Sequence, residues 1–210
     1  MVKPPGQTER DAKARILDAA DAVFVRRGTD GARMQEIADE AGVNKALLHY
    51  YFRSKADLAR AVWLRIASSF VPGIFEMLAS DASLDDKIDR FVDAYLTRLS
   101  RHHYLITYVV SEAARHPDLV PAFYSSGRGG AARHMMSKLR RQIGEEIEKG
   151  RMAPVAPDQF LITLVSSCAF PFAARPMITA GLGLGAKGFD KFIEKRRKDL
   201  PVFLKRALRP

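Results

Sequence analysis

"AGVNKALLHYYFRSK", residues 41–55, sets Asn, Lys, His and two Tyr among apolar residues within the length of one short helix. Gly42 fits a helix stop and Asn44 a helix start, so the stretch reads as the end of one helix, a tight turn and a second helix. On a wheel at about 100° per residue, Leu48, Tyr51 and Phe52 gather on one side. Lys45, Ala46, His49 and Tyr50 gather opposite, with Leu47 at the edge. The first set, with Val43, is expected in a core. The second points Lys, His and Tyr outward, which a plain surface helix rarely does.

The flanking sequence is helical in the same way. Ile16, Ala20, Val23 and Phe24 make one apolar face, Thr8 is placed to cap that helix with Asp11 three positions on, and Gly28 stops it. Met34, Ile37, Ala38 and Ala41 recur at i, i+3, i+4 and i+7. Ser54 caps a fourth helix carrying Leu58, Val62, Ile66 and Phe70 to about Pro72. Two short helices joined by "AGVN" match a helix-turn-helix. Its second helix, with one face packed and the other bearing Lys, His and Tyr, suits a DNA major groove. Lys45 can reach guanine or phosphate, His49 and Tyr50 can donate to phosphate oxygens, and Leu47 can touch a thymine methyl.

Farther along, "SLDDKIDRFVDAYLTRL" puts Ile88, Phe91, Val92, Tyr95, Leu96 and Leu99 on one face. "YLITYVVSEAAR" is a shorter helix stopping near Pro117. A helix broken around Gly127–Gly130 resumes to Gly150, an uncharged one runs from Phe160 to Ala174, and a glycine-rich link leads to a basic helix from about Gly188. No convincing period-two strand occurs, so the fold class is all-α. The expected domains are a helix-turn-helix domain at 8–53, a connecting helix at 54–79 and a regulatory and dimerisation domain at 80–208.

The formal charge of +10 suits an anionic partner, but the last 25 residues alone carry nine Lys/Arg against three Asp/Glu. Bulk charge therefore does not mark the DNA-reading segment. A single cysteine, Cys168, excludes an intrachain disulfide and a cysteine zinc site, and no signal-peptide hydrophobic region opens the chain. The expectation is a cytoplasmic protein without metal or cofactor. Fifteen helical residues from Phe160 rise about 22 Å, short of the roughly 30 Å of a bilayer core, so no membrane span is expected there. "GLGLGAKG" lacks the preceding strand of a dinucleotide loop. Ser111, Glu112 and His116 lack the elbow and oxyanion loop of a hydrolase triad, so no enzyme is expected.

Residues 16–58, "ILDAADAVFVRRGTDGARMQEIADEAGVNKALLHYYFRSKADL", closely resemble the DNA-binding domain of TetR-family transcriptional regulators. The resemblance rests on "IL-AA---F---G", "EIA--AGV" and "K--L--YF-SK--L". It implies a homodimer that binds double-stranded operator DNA through the N-terminal domain. The C-terminal domain then dimerises and senses a small-molecule effector. Carried over by position, Arg33 and Gln35 flank the groove, Asn44, Lys45, Ala46, Leu47, His49 and Tyr50 are recognition-helix contacts, and Lys55 meets a phosphate. Ala32 and Arg33 stand where the family usually has a capping Thr or Ser, which leaves the second helix without its usual cap and offers Arg33 as a charged contact.

The leading functional expectation is a ligand-released repressor. The alternatives are a DNA-binding regulator without a small ligand (an activator or a partner-controlled protein) and a peripheral membrane protein using the basic C-terminal helix. Tyr104, Tyr108, Glu112, Phe123, Met135, Phe170 and Phe172 are the candidate ligand residues, a largely apolar group with one acid. A buried Glu112 would need Arg175, another side chain or a cationic ligand beside it. The dimer is expected through the helices at 160–174 and 188–208. Phe160, Leu164, Cys168 and Phe172 form its stripe, Leu161 and Val165 lie beside them, and Ser166, Ala169 and Ala173 allow close approach. The alternative is that both faces complete the monomer core.

Overall fold

The structure is a computed structural model that describes residues 5–185 and 187–210, with side chains from residue 11 onward. It is 82% helical, and no strand occurs among the described residues. The helices are α1 (Pro5–Gly31), α2 (Met34–Ala41), α3 (Lys45–Tyr51), α4 (Lys55–Ala79), α5 (Leu84–Arg101), α6 (Leu105–Arg115), α7 (Leu119–Phe123), α8 (Gly129–Glu148), α9 (Pro157–Ala173), α10 (Arg175–Gly181) and α11 (Gly188–Ala207). A wide π-helical turn at Tyr124–Arg128, with Gly127 at φ 92°, joins α7 to α8.

Contacts divide the chain into two units. The first comprises the chain up to Ser69 together with Tyr108–Pro121; the second comprises Phe70–Thr107 and Ala122–Pro210. The division falls inside α4, α6 and α7, not at the expected boundaries of 53/54 and 79/80. Those boundaries followed loops, whereas the division follows which half of each long helix packs with which neighbours.

In the first unit, Ile16, Ala20, Val23 and Phe24 of α1 are buried with Ile37, Ala38 and Ala41 of α2, Leu48 and Phe52 of the α3 region, and Leu58, Val62 and Trp63 of α4. Gly28 interrupts α1 at φ 67°, a conformation that costs glycine nothing. The helix begins at Pro5, ahead of the expected cap at Thr8, whose side chain lies outside the described residues. Ser54 caps α4: the Asp57 N–H donates to Ser54 Oγ at 3.0 Å, and Ser54 Oγ donates back to Asp57 Oδ2 at 2.8 Å. α4 passes through Pro72 and runs to Ala79.

In the second unit, α5 packs on α9 and α11, and α8 packs on α9. Ser83 caps α5 by the same exchange with Asp86. All six apolar positions expected on its face are buried, and so is Lys87. The stripe Phe160, Leu164, Cys168 and Phe172 of α9 is buried within this unit. It therefore completes the chain's own core and does not form a dimer seam. The expected glycine-rich link begins as a helix, α10, that bends 75° from α9. By length and apolarity, α4 alone or the bent pair α9 and α10 together would be long enough to cross a bilayer, but each buries part of its surface in the fold.

Candidate nucleic-acid interface

The turn between α2 and α3 is built by one glycine. Gly42 takes the left-handed conformation (φ 62°, ψ 39°), its N–H returning to Asp39 O at 3.2 Å and that of Val43 to Ala38 O at 3.0 Å. This satisfies the last carbonyls of α2 and reverses the chain toward α3. Asn44 starts α3: its Oδ1 accepts the Leu47 N–H at 2.8 Å. That contact uses the amide oxygen and not the NH₂ group, which carries the side chain's two donors.

The α3 wheel is realised closely. Leu48 is fully buried, Phe52 is buried and Tyr51 half-buried, while Lys45, Ala46, His49 and Tyr50 are exposed and Leu47 is intermediate. Tyr50 leaves 73% of its surface open, and its ring meets Tyr51 edge-on at 5.3 Å. Arg33 and Gln35 are also exposed at the start of α2. Arg33 occupies the N-cap position without a side-chain cap bond, so that helix end is uncapped as its sequence suggests. Gln35 Nε2 donates to Asp39 Oδ1 at 2.8 Å.

Lys55 has a different setting. Half-buried, its Nζ donates to Asp30 O at 3.0 Å and to Ala32 O at 3.2 Å, bracing the turn that leads into α2. The ammonium assigned to a phosphate by resemblance thus already serves two backbone carbonyls. Arg115 of α6 holds the same turn, Nη1 to Asp30 Oδ2 at 2.8 Å. Sequence reasoning missed Arg115 because nothing local links it to residues 30–32.

The ligand candidates fall in different places. Tyr108 and Glu112 belong to the first unit. The Tyr108 hydroxyl donates to Ala59 O at 3.2 Å, and its ring stacks with Phe24 at 6.2 Å. Burial, and then the nearby Glu112, push the Tyr108 phenol well up from its usual range. Glu112 is 1% exposed and has Arg115, 3.7 Å away, as its ionic partner. Arg175 instead contacts His103 in the second unit. The need for a cationic ligand beside Glu112 therefore falls away. Phe123, Met135 and Phe172 are buried in the second unit, whereas Tyr104 and Phe170 are exposed. Ser111 Oγ donates to Tyr108 O at 3.1 Å. No cluster of three or more metal-binding side chains occurs among the described residues.

Two short helices joined by a tight turn, the second with a polar, outward face, make the helix-turn-helix arrangement of DNA-binding proteins. Residues 16–62 match the family model for bacterial regulatory proteins of the tetR family. The chain is 30% identical over 196 residues to the HTH-type transcriptional repressor SCO4008 of Streptomyces coelicolor, covering 89% of this chain and 91% of that protein. The chain belongs to the TetR family of transcriptional regulators. It is also 36% identical over 85 residues to the HTH-type transcriptional activator FasR of Mycolicibacterium smegmatis, a match spanning 40% of this chain and 39% of that protein. FadR of Bacillus subtilis, solved in complex with stearoyl-CoA, has the same fold: TM-score 0.62 at 15% identity, over 91% of this chain and 97% of that one.

Proposed function

We propose that this regulator is a cytoplasmic homodimeric repressor that reads its operator with α3 in the major groove and leaves it when a small hydrophobic ligand binds. The observation that carries the reading is the division of α3, with Leu48 and Phe52 packed inward and Lys45, His49 and Tyr50 projecting together. Seven helical residues reach few base pairs, so two heads about one DNA turn apart supply the affinity and specificity one lacks. The repressor SCO4008, aligned over nearly the whole chain, favours repression. Activation is the second reading, favoured by the match to the activator FasR over the segment they share.

The ligand reading rests on Phe123, Met135 and Phe172. All three are buried in the second unit, so a ligand among them must select a more open packing of α8 and α9. Selection of bound duplexes from a random pool, followed by fluorescence anisotropy on the winning sequence, tests the DNA reading. Retention of random duplex as strong as that of the selected one would sink it. Hydrophobic metabolites that raise the melting temperature are then added to the complex. The ligand reading expects some of them to release DNA, and none doing so would count against it.

A further inference from the structure

His102 and His103, adjacent in sequence, have different environments. His102 is exposed, whereas His103 turns inward two residues ahead of α6. Its Nδ1 lies 2.8 Å from Nη1 of Arg175, the first residue of α10. Its Nε2 lies 3.5 Å from Oδ1 of Asp190, in the first turn of α11. Phe172, in the last turn of α9, and Phe189 of α11 flank the imidazole, each ring centre 6.1 Å away. Arg175 itself lies over the Phe189 ring at 4.7 Å. One imidazole thus touches every segment that meets at the α9–α10 bend.

The chemistry of this contact depends on the proton. A guanidinium only donates, so the 2.8 Å contact needs the Nδ1 lone pair and hence a neutral ring with its hydrogen on Nε2, facing Asp190. A second ring proton would set donor against donor and cation against cation. We propose that His103 is a proton-operated latch at the α9–α10 bend: neutral, it holds Arg175 and joins α10 and α11 to the α5–α6 link; protonated, it releases Arg175 and keeps only Asp190. The charged groups facing the ring are Arg175 from α10 and Asp190 from α11. α9 presents the apolar Phe172, and the link's own His102 and Tyr104 are exposed.

Burial first, and Arg175 second, hold the His103 pKa below the ordinary histidine value, with Asp190 opposing them. The folded chain therefore resists a proton that the unfolded chain accepts. The latch's contribution to stability is complete above the ordinary value of about 6.5 and is lost as pH falls from there through the lowered one.

NMR titration of the histidine ring protons in the full chain tests this, with His103→Asn identifying the resonance. His103 should titrate below the ordinary histidine value of about 6.5. Arg175→Gln should move its midpoint up and Asp190→Asn should move it down. Between pH 7.5 and 5 the wild-type melting temperature should fall more than that of His103→Asn, whose amide oxygen still accepts from Arg175 and does not titrate. A His103 midpoint at or above the ordinary value of about 6.5, or equal losses of melting temperature in the two proteins, would overturn the latch. If Arg175→Gln does not fold, the Asp190→Asn shift decides alone, and its absence counts against the proposal.

Discussion

Arg196 of α11 donates from Nε at 3.0 Å and from Nη2 at 2.9 Å to the carbonyl oxygen of Ser167 in α9. In an unbroken helix that oxygen would accept the N–H of residue 171, but residue 171 is a proline and has none. One side chain thus fills the gap that Pro171 leaves and ties α11 to α9. Replacing Arg196 by Met should cost about 1–3 kcal/mol, the penalty of stranding a carbonyl. Pro171→Ala restores the missing donor and should shrink that loss, so a double-mutant cycle by urea denaturation checks the pair. Additive losses would show that the two residues do not share the carbonyl.

The exposed and buried faces of α3 make separable predictions. Lys45→Ala and Tyr50→Ala should each weaken operator binding by about 1–3 kcal/mol while leaving the melting temperature unchanged. If Lys45 meets a phosphate, its loss should also flatten the salt dependence of binding by about one ion. Leu48→Ala should instead cost about 2–5 kcal/mol of stability through the cavity it leaves. Anisotropy over a salt series, paired with melting curves, distinguishes these; unchanged affinity in both surface variants would move the reading face elsewhere.

Lys55 separates geometry from resemblance. If its main work is to brace the turn at Asp30 and Ala32, Lys55→Met should lower stability by about 1–3 kcal/mol and weaken DNA binding as a consequence. If it serves a phosphate alone, only affinity should change. Thermal melts and binding on the same variant decide between them.

The faces of α3 and α5 were legible because a 3.6-residue period shows which side chains share a side. The identity of the covering surface was not. Phe160, Leu164, Cys168 and Phe172 are a true stripe, yet α5 and α8 of the same chain pack on their helix. α10 reads as a link in the sequence because its seven residues, Arg175–Gly181, hold a proline and a glycine and bury nothing, which leaves no amphipathic signal. Tyr108 and Glu112 do share a face, as i, i+4 spacing requires, but only tertiary contacts could assign that face to the first unit. Arg196 and Lys55 act on backbone carbonyls distant in sequence, where no local pattern marks an acceptor.

Lys87 is a buried cation missed for the same reason. It is 1% exposed, and its Nζ donates to Gln142 Oε1 at 2.6 Å. Burial lowers its pKa, with Asp81 partly compensating. The folded state then disfavours the charged form, so stability should rise as pH is raised through the lowered pKa toward the ordinary value near 10.4. Lys87→Met removes the charge at similar volume and should be neutral or stabilising near pH 7, with that alkaline rise abolished. Urea midpoints from pH 7 to 10 provide the measurement. A large loss of stability at pH 7 would mean that the Gln142 bond outweighs the cost of burying the charge.

The proposed dimer face is the side of α9 opposite the buried stripe. Ile162, Ser166, Phe170 and Ala173 are exposed along it, as are Val202 and Phe203 on α11, with Phe170 60% and Phe203 67% open. A groove of about 500 Å³ runs along α11, lined by Phe192, Lys195, Arg196, Asp199, Leu200 and Phe203, with Ser167 of α9 at its edge. Large apolar side chains set beside small ones suit a self-complementary contact, in which each copy offers knobs and the space to receive them. Phe170→Glu and Phe203→Glu should each shift the protein to monomer at micromolar concentration in sedimentation equilibrium, with the melting temperature of the separated chain little changed. Phe172→Ala should do the reverse, costing about 3–5 kcal/mol of core packing without creating a charge on this face. A dimer that survives both glutamates would place the interface on another surface, and operator affinity measured on the same samples would then show whether pairing is needed for reading.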